Sequence, residues 1–416
     1  MIAYVNKSEY SGETTAVPSK SQAHRLLIAA ALKKGRTVVR GVGDSADVNA
    51  TIRCLNALGA SIDKVRDDAV VFGIGKARLG GVLDAGESGS TLRFLLPIAA
   101  SFGAECSFTG QGRLLQRPNE ALCDALNKKG VVTDGITVKG RLKAGDYKID
   151  ATVSSQYISG LLFALPLLDG DSRILFSGEP VSKNYIDMTT EVLSSAGIVY
   201  KRIRKGFSIP GRQEYRLPDE VTCEGDWSGA AFMLVAGALG KKTSVKGLNV
   251  RSLQGDRRIL DVLRLSGAQI AEKGDRIEVR SDKKIPFEVD IRDIPDLAPV
   301  LAALAATIPG KSRLKSVRRL QIKESDRLAA IQEMLHAAGI DSKKEKDDLV
   351  VFGGKPLCGR FDGKNDHRMV MASVLLAGVC DGESVVSDAE AVKKSYPGFF
   401  EDYAKIGGKS HVEMEG

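Results

Sequence analysis

Basic residues lie at the predicted starts of several apolar helices. The segments SKSQAHRLLIAAAL, GESGSTLRFLLPIAA and NDHRMVMASVLLAG place Lys20 and Arg25, Arg93, and Arg368 in the first turns. The first N–H groups of a helix lack partners and carry positive partial charge, so a cation there is unfavourable unless an anion binds. Phosphate and carboxylate groups meet that need. The serine and aspartate residues at the same starts are also explained as ordinary helix caps.

A second group of polar residues lies in loops ahead of the intervening helices. The loops GRLLQRP, EPVSKNYID, RSLQGD, RRLQIKESDR and EAVKKSYP contain Arg117, Ser182, Tyr185, Gln254, Asp256, Lys323, Glu324, Arg327 and Lys394. They supply further cations for an anionic ligand. In KESDR, the alternation of acids and bases is also explained by a capping box with surface ion pairs.

The elements that carry these residues repeat along the chain. Amphipathic runs end six times in a glycine at intervals of roughly 70 residues, at Gly59, Gly130, Gly197, Gly267, Gly339 and Gly407. Glycine ends a helix because it accepts the left-handed conformation. Alternating segments such as VRDDAVVFG, EKGDRIEVR and KEKDDLVVFG predict hairpins after several of these stops. The apolar helices keep the same register at Ser21, Ser90, Ser155, Ser228, Asp296 and Asp366.

This pattern predicts an α/β protein of six similar units. Each unit consists of a strand, a helix, a second strand, a second helix and a hairpin, in that order. Six units exceed one compact core, so two domains of three units are expected. We expect a first domain over residues 14–222, a second over 1–13 and 223–410, and a disordered tail over 411–416. The last unit lacks its hairpin, and the N-terminal strand Met1–Val5 could close it. Six helix starts would then converge on one cleft.

Composition restricts the class of protein. The chain has 416 residues, a net charge of +8 and 6% aromatic residues. The cations are spread along the chain without a basic arm, although a basic nucleic-acid-binding repeat protein remains an alternative. The six cysteines form no CxxC pair, which argues against a zinc site and a disulfide framework. The N-terminus lacks a signal peptide and no apolar run reaches the roughly 20 residues of a membrane span, so we expect a cytoplasmic protein.

The ordered motifs resemble those of one enzyme family. They are PSKSQAHR, GESGSTLR, QRP, SSQY, VSKNYID, IPD, IKESDRL, NDHRM and KKSYP. In this order they are similar to the motif series of EPSP synthases, within the enolpyruvyl transferases. The resemblance implies two similar domains, each with three βαβαββ units, forming an inside-out α/β barrel. It also implies transfer of the enolpyruvyl group of phosphoenolpyruvate to the 5-hydroxyl of shikimate 3-phosphate, by a monomer without metal or cofactor.

The same resemblance implies a role for individual residues. Shikimate 3-phosphate is expected at Lys20, Ser21, Arg25, Ser154, Ser155, Gln156, Ser182, Tyr185, Asp296 and Lys323. Phosphoenolpyruvate is expected at Lys20, Gly89, Arg117, Gln156, Arg327, Arg368 and Lys394. The implied catalytic residues are Asp296, Glu324, Lys20 and His367.

The implied chemistry needs one proton removed from the hydroxyl and one delivered to the methylene carbon. Asp296 suits the base, whereas either Glu324 or Lys20 could deliver the second proton. Glu87, Ser90 and Arg319 depart from residues common in the family. Because Gly89 often marks herbicide-sensitive members, we expect glyphosate to compete with phosphoenolpyruvate.

Two related enzyme classes are less consistent with the sequence. Transferases that use UDP-N-acetylglucosamine usually carry Cys or Asp in the loop before Arg-Pro, and GQGRLLQRP contains no cysteine. RNA 3′-phosphate cyclases use a histidine near the C-terminus, and the only histidine there, His411, falls in the predicted tail.

Overall fold

A computed structural model describes residues 1–78 and 80–414 of the chain. The strands, in chain order, are β1 Ile2–Asn6, β2 Ser11–Thr15, β3 Arg36–Arg40, β4 Ser61–Val65, β5 Asp68–Phe72, β6 Gly80–Asp84, β7 Glu105–Thr109, β8 Val131–Thr133, β9 Thr137–Gly140, β10 Asp146–Asp150, β11 Ser172–Ser177, β12 Lys201–Ile203, β13 Gly206–Ile209, β14 Glu220–Thr222, β15 Lys242–Lys246, β16 Ala268–Lys273, β17 Arg276–Ser281, β18 Glu288–Asp290, β19 Gly310–Lys315, β20 Asp341–Glu345, β21 Asp348–Gly353, β22 Arg360–Phe361, β23 Ser384–Val386 and β24 Lys409–Glu413.

The α-helices are likewise numbered along the chain. They are α1 Lys20–Leu32, α2 Ala46–Leu58, α3 Gly89–Phe102, α4 Glu120–Asn127, α5 Ser155–Ala164, α6 Lys183–Ser195, α7 Trp227–Leu239, α8 Ile259–Leu265, α9 Ala298–Ala306, α10 Arg327–Ala337, α11 His367–Ala377 and α12 Phe399–Lys405. Short 3₁₀ turns lie in several connecting segments, among them Gly255–Arg258, Pro295–Leu297, Val317–Ile322 and Ala389–Lys394.

The chain divides into two compact units. The N-terminal unit is Pro18–Cys223, and the C-terminal unit combines Met1–Val17 with the chain from Glu224 onwards. Each unit has a hydrophobic core of its own. The odd-numbered helices α1, α3, α5, α7, α9 and α11 supply most of the helical core, because their residues are apolar on nearly every side.

The sheets share one design within the described residues. Each has four strands in the order β14-β3-β5-β4, β6-β7-β9-β8, β10-β11-β13-β12, β2-β15-β17-β16, β18-β19-β21-β20 and β22-β23-β1-β24. The first pair in each order is parallel, and the two following pairs are antiparallel. A parallel pair needs a crossover, which a buried helix provides in most of the sheets. The predicted α/β class is therefore confirmed.

Local sequence signals set most element ends. All six predicted glycine stops have positive φ, from 66° at Gly339 to 111° at Gly59. The three predicted hairpins form as β4–β5, β16–β17 and β20–β21. Their two-residue turns begin with left-handed Arg66, Gly274 and Lys346, the geometry that matches the twist of paired strands.

The chain termini correct one prediction. The predicted disordered tail over 411–416 is wrong for 411–413, since β24 pairs with β1 in an antiparallel register that joins Tyr4 to His411. The rings of these two residues also stack with centroids 4.8 Å apart. Residues 415–416 lie outside the described residues. The expected closing role of the N-terminal strand is confirmed, because β1 lies between β23 and β24.

Candidate active site

Serine caps begin the three buried helices of the N-terminal unit. Ser19 accepts from the backbone N–H of Gln22, Ser88 from that of Thr91, and Ser154 from that of Gln156. The caps therefore lie one or two residues before Ser21, Ser90 and Ser155, which belong to the first turns. Because each cap satisfies only one N–H group, each helix start keeps donors for an anion.

Lys20 is held at the start of α1 by a carboxylate from the next helix. Its Nζ lies 2.7 Å from Oδ2 of Asp47 in the first turn of α2. Both side chains are mostly buried, at 16% and 14% exposure. Sequence reasoning did not identify Asp47, although the capped start SADVN places an acid in the first turn, where it is common.

Arg25 is buried in the N-terminal unit and has no acidic partner among residues 1–78 and 80–414. Its guanidinium donates to Oγ1 of Thr189 at 2.9 Å and to the carbonyls of Ser21 at 2.6 Å and Tyr185 at 2.9 Å. Burial lowers the pKa of Arg25 to about 10, against a raising contribution from Tyr185. Buried positive charge of this kind is best neutralised by an anion. Three residues expected at shikimate 3-phosphate, Ser21, Arg25 and Tyr185, are thus brought together.

Gly89 and Arg117 are in direct contact. A β-carbon built on Gly89 would lie 2.8 Å from Nη1 and 3.1 Å from Cζ of Arg117. Only glycine therefore lets the guanidinium pack against the start of α3. This contact joins two residues expected at phosphoenolpyruvate.

Gln156 connects the starts of α3 and α5. Its Oε1 accepts from Arg93 Nη1 at 2.7 Å, and its Nε2 donates to Ser90 Oγ at 2.9 Å. Arg93 also donates to Asn119 Oδ1 and the carbonyl of Pro118. Ser154 and Ser155 are buried at the same start of α5. Ser182 precedes α6 with a left-handed φ of 52°, and its side chain is buried as well.

Asp296 is the centre of the polar cluster in the C-terminal unit. It lies in the 3₁₀ turn before α9 and contacts three cations, at 2.8 Å from Arg327, 3.1 Å from Lys323 and 3.2 Å from Arg368. Burial alone would raise the pKa of this carboxyl, but the charges of Arg368, Lys323 and Arg327 hold it well below its ordinary value. Burial in turn lowers the pKa of Lys323, although Asp296 opposes that shift.

Arg327 is fully buried and bound by three carboxylates. Its Nε donates to Asp366 at 2.7 Å, Nη1 to Asp296 at 2.8 Å and Nη2 to Glu324 at 2.7 Å. Burial opposes its charge, but Asp366, Glu324 and Asp296 raise the pKa of the guanidinium well above its ordinary value. The residue expected to bind phosphoenolpyruvate thus also fixes the position of both proposed proton-transfer carboxylates.

The start of α11 completes this cluster. Asp366 caps the helix by accepting from the backbone N–H of Arg368 at 3.0 Å, and it is fully buried. The neighbouring His367 has Nδ1 3.9 Å from Oδ1 of Asp366. Lys394 donates to the carbonyl of Asn365 at 2.5 Å. Sequence reasoning noted Asp366 only as a helix start and missed its pairing with Arg327.

A further buried acid lies near Asp296. Asp256 accepts from the hydroxyl of Ser228 at 2.5 Å, and its other oxygen, Oδ1, has no hydrogen-bond partner within the described residues. Burial and the charge of Asp296 raise the pKa of Asp256 to about 6, whereas Arg368 and Ser228 oppose the shift. The sequence singled out Asp256 as a loop residue without giving it a role.

Each unit therefore holds its own set of expected site residues. The N-terminal unit contains Lys20, Ser21, Arg25, Gly89, Arg117, Ser154, Ser155, Gln156, Ser182 and Tyr185, and the C-terminal unit contains Asp296, Lys323, Glu324, Arg327, His367, Arg368 and Lys394. Both sets combine helix starts with cations, an arrangement suited to phosphate and carboxylate groups. Over residues 1–78 and 80–414, no cluster of three or more His, Cys, Asp or Glu side chains is arranged to hold a metal ion. In the same ranges, no helix has the length and apolar character needed to cross a bilayer.

Solved structures place this architecture among the enolpyruvyl transferases. The EPSP synthase from Acinetobacter baumannii superposes with a TM-score of 0.81 at 21% identity, over 99% of this chain and 100% of that one. The enolpyruvyl transferase NikO from Streptomyces tendae superposes with a TM-score of 0.80 at 18% identity, over 99% and 98%. At sequence identities of 21% and 18%, the structural likeness shows a shared fold and no more.

Sequence comparison identifies the particular family. The EPSP synthase (3-phosphoshikimate 1-carboxyvinyltransferase) family model matches residues 5–403. A 3-phosphoshikimate 1-carboxyvinyltransferase from Clostridium kluyveri is 41% identical, over 97% of both chains. One from Brachyspira hyodysenteriae is 37% identical, over 98% of this chain and 99% of the relative. The chain belongs to the EPSP synthase family.

Proposed function

We propose that this protein transfers the enolpyruvyl group of phosphoenolpyruvate to the 5-hydroxyl of shikimate 3-phosphate and releases phosphate. The observation that carries this proposal is the carboxylate of Asp296 bound by Lys323, Arg327 and Arg368. Such a site holds a base among cations that substrate anions can engage. Family membership supports the choice of substrates.

We assign the cations according to the two anionic groups of each substrate. Phosphoenolpyruvate is bound by Lys20 and Arg117 with the backbone of Gly89, and by Arg327, Arg368 and Lys394, with Gln156 beside it. Shikimate 3-phosphate is bound by Lys20, Ser21, Arg25, Ser154, Ser155, Gln156, Ser182, Tyr185, Asp296 and Lys323. The buried guanidinium of Arg25 supports this assignment, because its acceptors Thr189, Ser21 and Tyr185 are neutral and a phosphate neutralises its charge.

The contacts of Asp296 define how its basicity can change during the reaction. In the free protein three cations depress its pKa, which makes the carboxylate a weak base. Substrate anions that engage Lys323, Arg327 or Arg368 weaken those contacts and raise the basicity of Asp296. The carboxylate then accepts the proton of the 5-hydroxyl as that oxygen bonds to C2 of phosphoenolpyruvate.

A second proton must reach the methylene carbon in the same step. Either Glu324 or Lys20 donates this proton, and experiment must distinguish them. His367, at the start of α11, assists the transfer. The deprotonated donor then takes a proton from the new methyl group as the bond from C2 to the phosphate oxygen breaks, which re-forms the carbon–carbon double bond and gives the enol ether. The proton held by Asp296 passes to the departing phosphate. Atoms and charges balance without an external oxidant, metal or cofactor.

We also propose that the protein acts as a monomer in the cytoplasm. All six cysteines are free within the described chain, and only Cys358 is exposed. Free thiols without disulfides support a reducing compartment. The elution volume of the purified protein at micromolar concentration tests the monomer.

Acceptor choice tests the proposed reaction. Phosphate release from phosphoenolpyruvate should require shikimate 3-phosphate and should not occur with UDP-N-acetylglucosamine. Turnover with UDP-N-acetylglucosamine but not with shikimate 3-phosphate would show that the chain is instead a UDP-N-acetylglucosamine enolpyruvyl transferase. Absence of turnover with both acceptors, together with nucleic-acid binding that weakens steeply with salt, would favour a basic binding protein.

A further inference from the structure

A chain of buried hydrogen bonds joins three helices of the N-terminal unit. His24 Nδ1 lies 2.7 Å from Thr51 Oγ1, which lies 2.6 Å from Thr91 Oγ1. Thr91 Oγ1 donates to Ser88 Oγ at 2.8 Å. All four side chains are at most 1% exposed. The chain thus runs from α1 through α2 to the cap of α3.

The donor directions along this chain follow from the number of hydroxyl hydrogens. Thr91 has a single hydroxyl hydrogen, which it gives to Ser88. Thr51 must therefore donate to Thr91, and His24 Nδ1–H must donate to Thr51. The remaining nitrogen, His24 Nε2, has no hydrogen-bond partner within the described residues. An unprotonated Nε2 agrees with this, because an unpaired N–H is the more costly group to bury.

The surroundings of His24 favour the neutral imidazole. Burial lowers its pKa well below the ordinary value, and the charges of Lys20 and Arg25 lower it further. When the neutral ring carries its hydrogen on Nδ1, each group in this series of hydrogen bonds donates to the next, from His24 to Ser88. At its end Ser88 Oγ accepts from both the backbone N–H and the hydroxyl of Thr91.

The three joined helices also carry the proposed phosphoenolpyruvate contacts of this unit. Lys20 begins α1, its partner Asp47 lies in the first turn of α2, and Gly89 begins α3 against Arg117. Thr91 is two residues from Gly89, and its hydroxyl also lies 3.5 Å from the carbonyl of Asp47. A shift of one helix start would therefore move Gly89 relative to Lys20 and Arg117.

We propose that His24, acting through Thr51 and Thr91, is a positioning residue for phosphoenolpyruvate. The hydrogen-bond chain holds three helix starts at the separations that the anion requires. This inference rests on the proposed function. None of the three residues needs to touch the substrate, but small displacements of binding groups are costly to catalysis.

Paired substitutions at Thr91 test the proposal. Thr91→Val keeps the shape but removes the hydroxyl, whereas Thr91→Ser keeps the hydroxyl. We expect Thr91→Val to raise KM for phosphoenolpyruvate at least about ten-fold, because it removes the hydrogen bonds of Thr91 to both Thr51 and Ser88. KM for shikimate 3-phosphate should change less than about two-fold, and Thr91→Ser should resemble the wild type, because the chain is kept. Thermal midpoints measured in parallel report any loss of folding.

A second pair keeps the test decisive if Thr91→Val does not fold. His24→Asn retains a donor close to the position of Nδ1, and His24→Leu removes it. The asparagine variant should keep KM for phosphoenolpyruvate near the wild-type value, and the leucine variant should raise it. Equal KM values within both pairs, in active enzymes, would overturn the inference and leave the proposed function intact. A wild-type protein without turnover would remove the proposed function, and the inference with it.

Discussion

The ammonium of Lys20 and the carboxylate of Asp47 form an ion pair of 2.7 Å between the starts of two helices. The pair fixes a cation at a helix start, where positive charge is locally unfavourable. An anion with phosphate and carboxylate groups gains from a cation that is already in position. The unfavourable placement of a cation at this helix start is therefore explained by the proposed binding of phosphoenolpyruvate.

Lys20→Ala should strongly impair turnover because it removes this cation. We expect kcat/KM to fall about 10³-fold, as for a charged contact worth several kcal/mol. The matched control is Lys33→Ala. Lys33 directly follows the last residue of α1, and its substitution breaks an ion pair of 2.6 Å with Asp219. A control as impaired as Lys20→Ala would trace the loss to folding of α1 instead of to the site.

Gly89→Ala should weaken phosphoenolpyruvate binding by displacing Arg117. The new methyl group would lie 2.8 Å from Nη1, and the flexible guanidinium can move aside. We expect KM for phosphoenolpyruvate to rise about ten-fold with little loss of stability.

Glyphosate provides a second measurement on the same variant. The wild type should show inhibition competitive with phosphoenolpyruvate, and Gly89→Ala should need a higher glyphosate concentration. Gly75→Ala is the control, because a β-carbon at Gly75 meets no atom of the described residues within 4 Å. A wild type unaffected by millimolar glyphosate would contradict the expectation.

Asp296→Asn should abolish turnover and keep substrate binding. The amide retains the size of the side chain but cannot accept the hydroxyl proton, so kcat should fall about 10³-fold or more. Binding of shikimate 3-phosphate, measured by calorimetry, should persist because Arg25 and Lys323 remain. Asp290→Asn, at a side chain 43% exposed beside Arg292, is the control. If Asp296→Asn kept kcat within ten-fold of the wild type, Asp296 would not be the base.

Asp256 predicts a pH dependence of stability with a definite sign. Its pKa is about 6 in the folded protein, above the ordinary 3.8, so folding favours the protonated form. The stabilisation is complete below about pH 4 and is lost as pH rises through about 6, on the order of 2–3 kcal/mol.

Urea unfolding of Asp256→Asn across this pH range measures that effect. The variant cannot ionise at position 256, so its stability relative to the wild type should increase from pH 4 to pH 7. Asp261→Asn, whose side chain is 68% exposed, serves as the control. A constant difference between Asp256→Asn and the wild type over this range would contradict the raised pKa.

Periodicity and local chemistry predicted much of the fold. The glycine stops such as Gly59 follow from backbone conformation, and the hairpins follow from alternation around a polar turn. These signals are local, so one sequence displays them. The β24 strand was missed because KSHVE is polar and its partner β1 lies at the other end of the chain.

The site was predicted in its residue types but not in its contacts. The motifs indicated Lys20, Asp296 and Arg327, yet the partners Asp47 and Asp366 lie 27 and 39 residues away in sequence. Such pairs form only when helices pack, and a capping aspartate has the same sequence signal whether or not it also binds an arginine. The buried hydroxyls of Thr51 and Thr91 gave no sequence signal for the same reason.

The proposed reaction joins phosphoenolpyruvate to shikimate 3-phosphate. Phosphorus NMR of one mixture of enzyme and both substrates tests this most directly, because each phosphorylated species gives its own signal. We predict that inorganic phosphate and 5-enolpyruvylshikimate 3-phosphate appear in a one-to-one ratio as both substrates decline. Phosphate released while shikimate 3-phosphate stays constant, or no change in either substrate, would exclude this reaction.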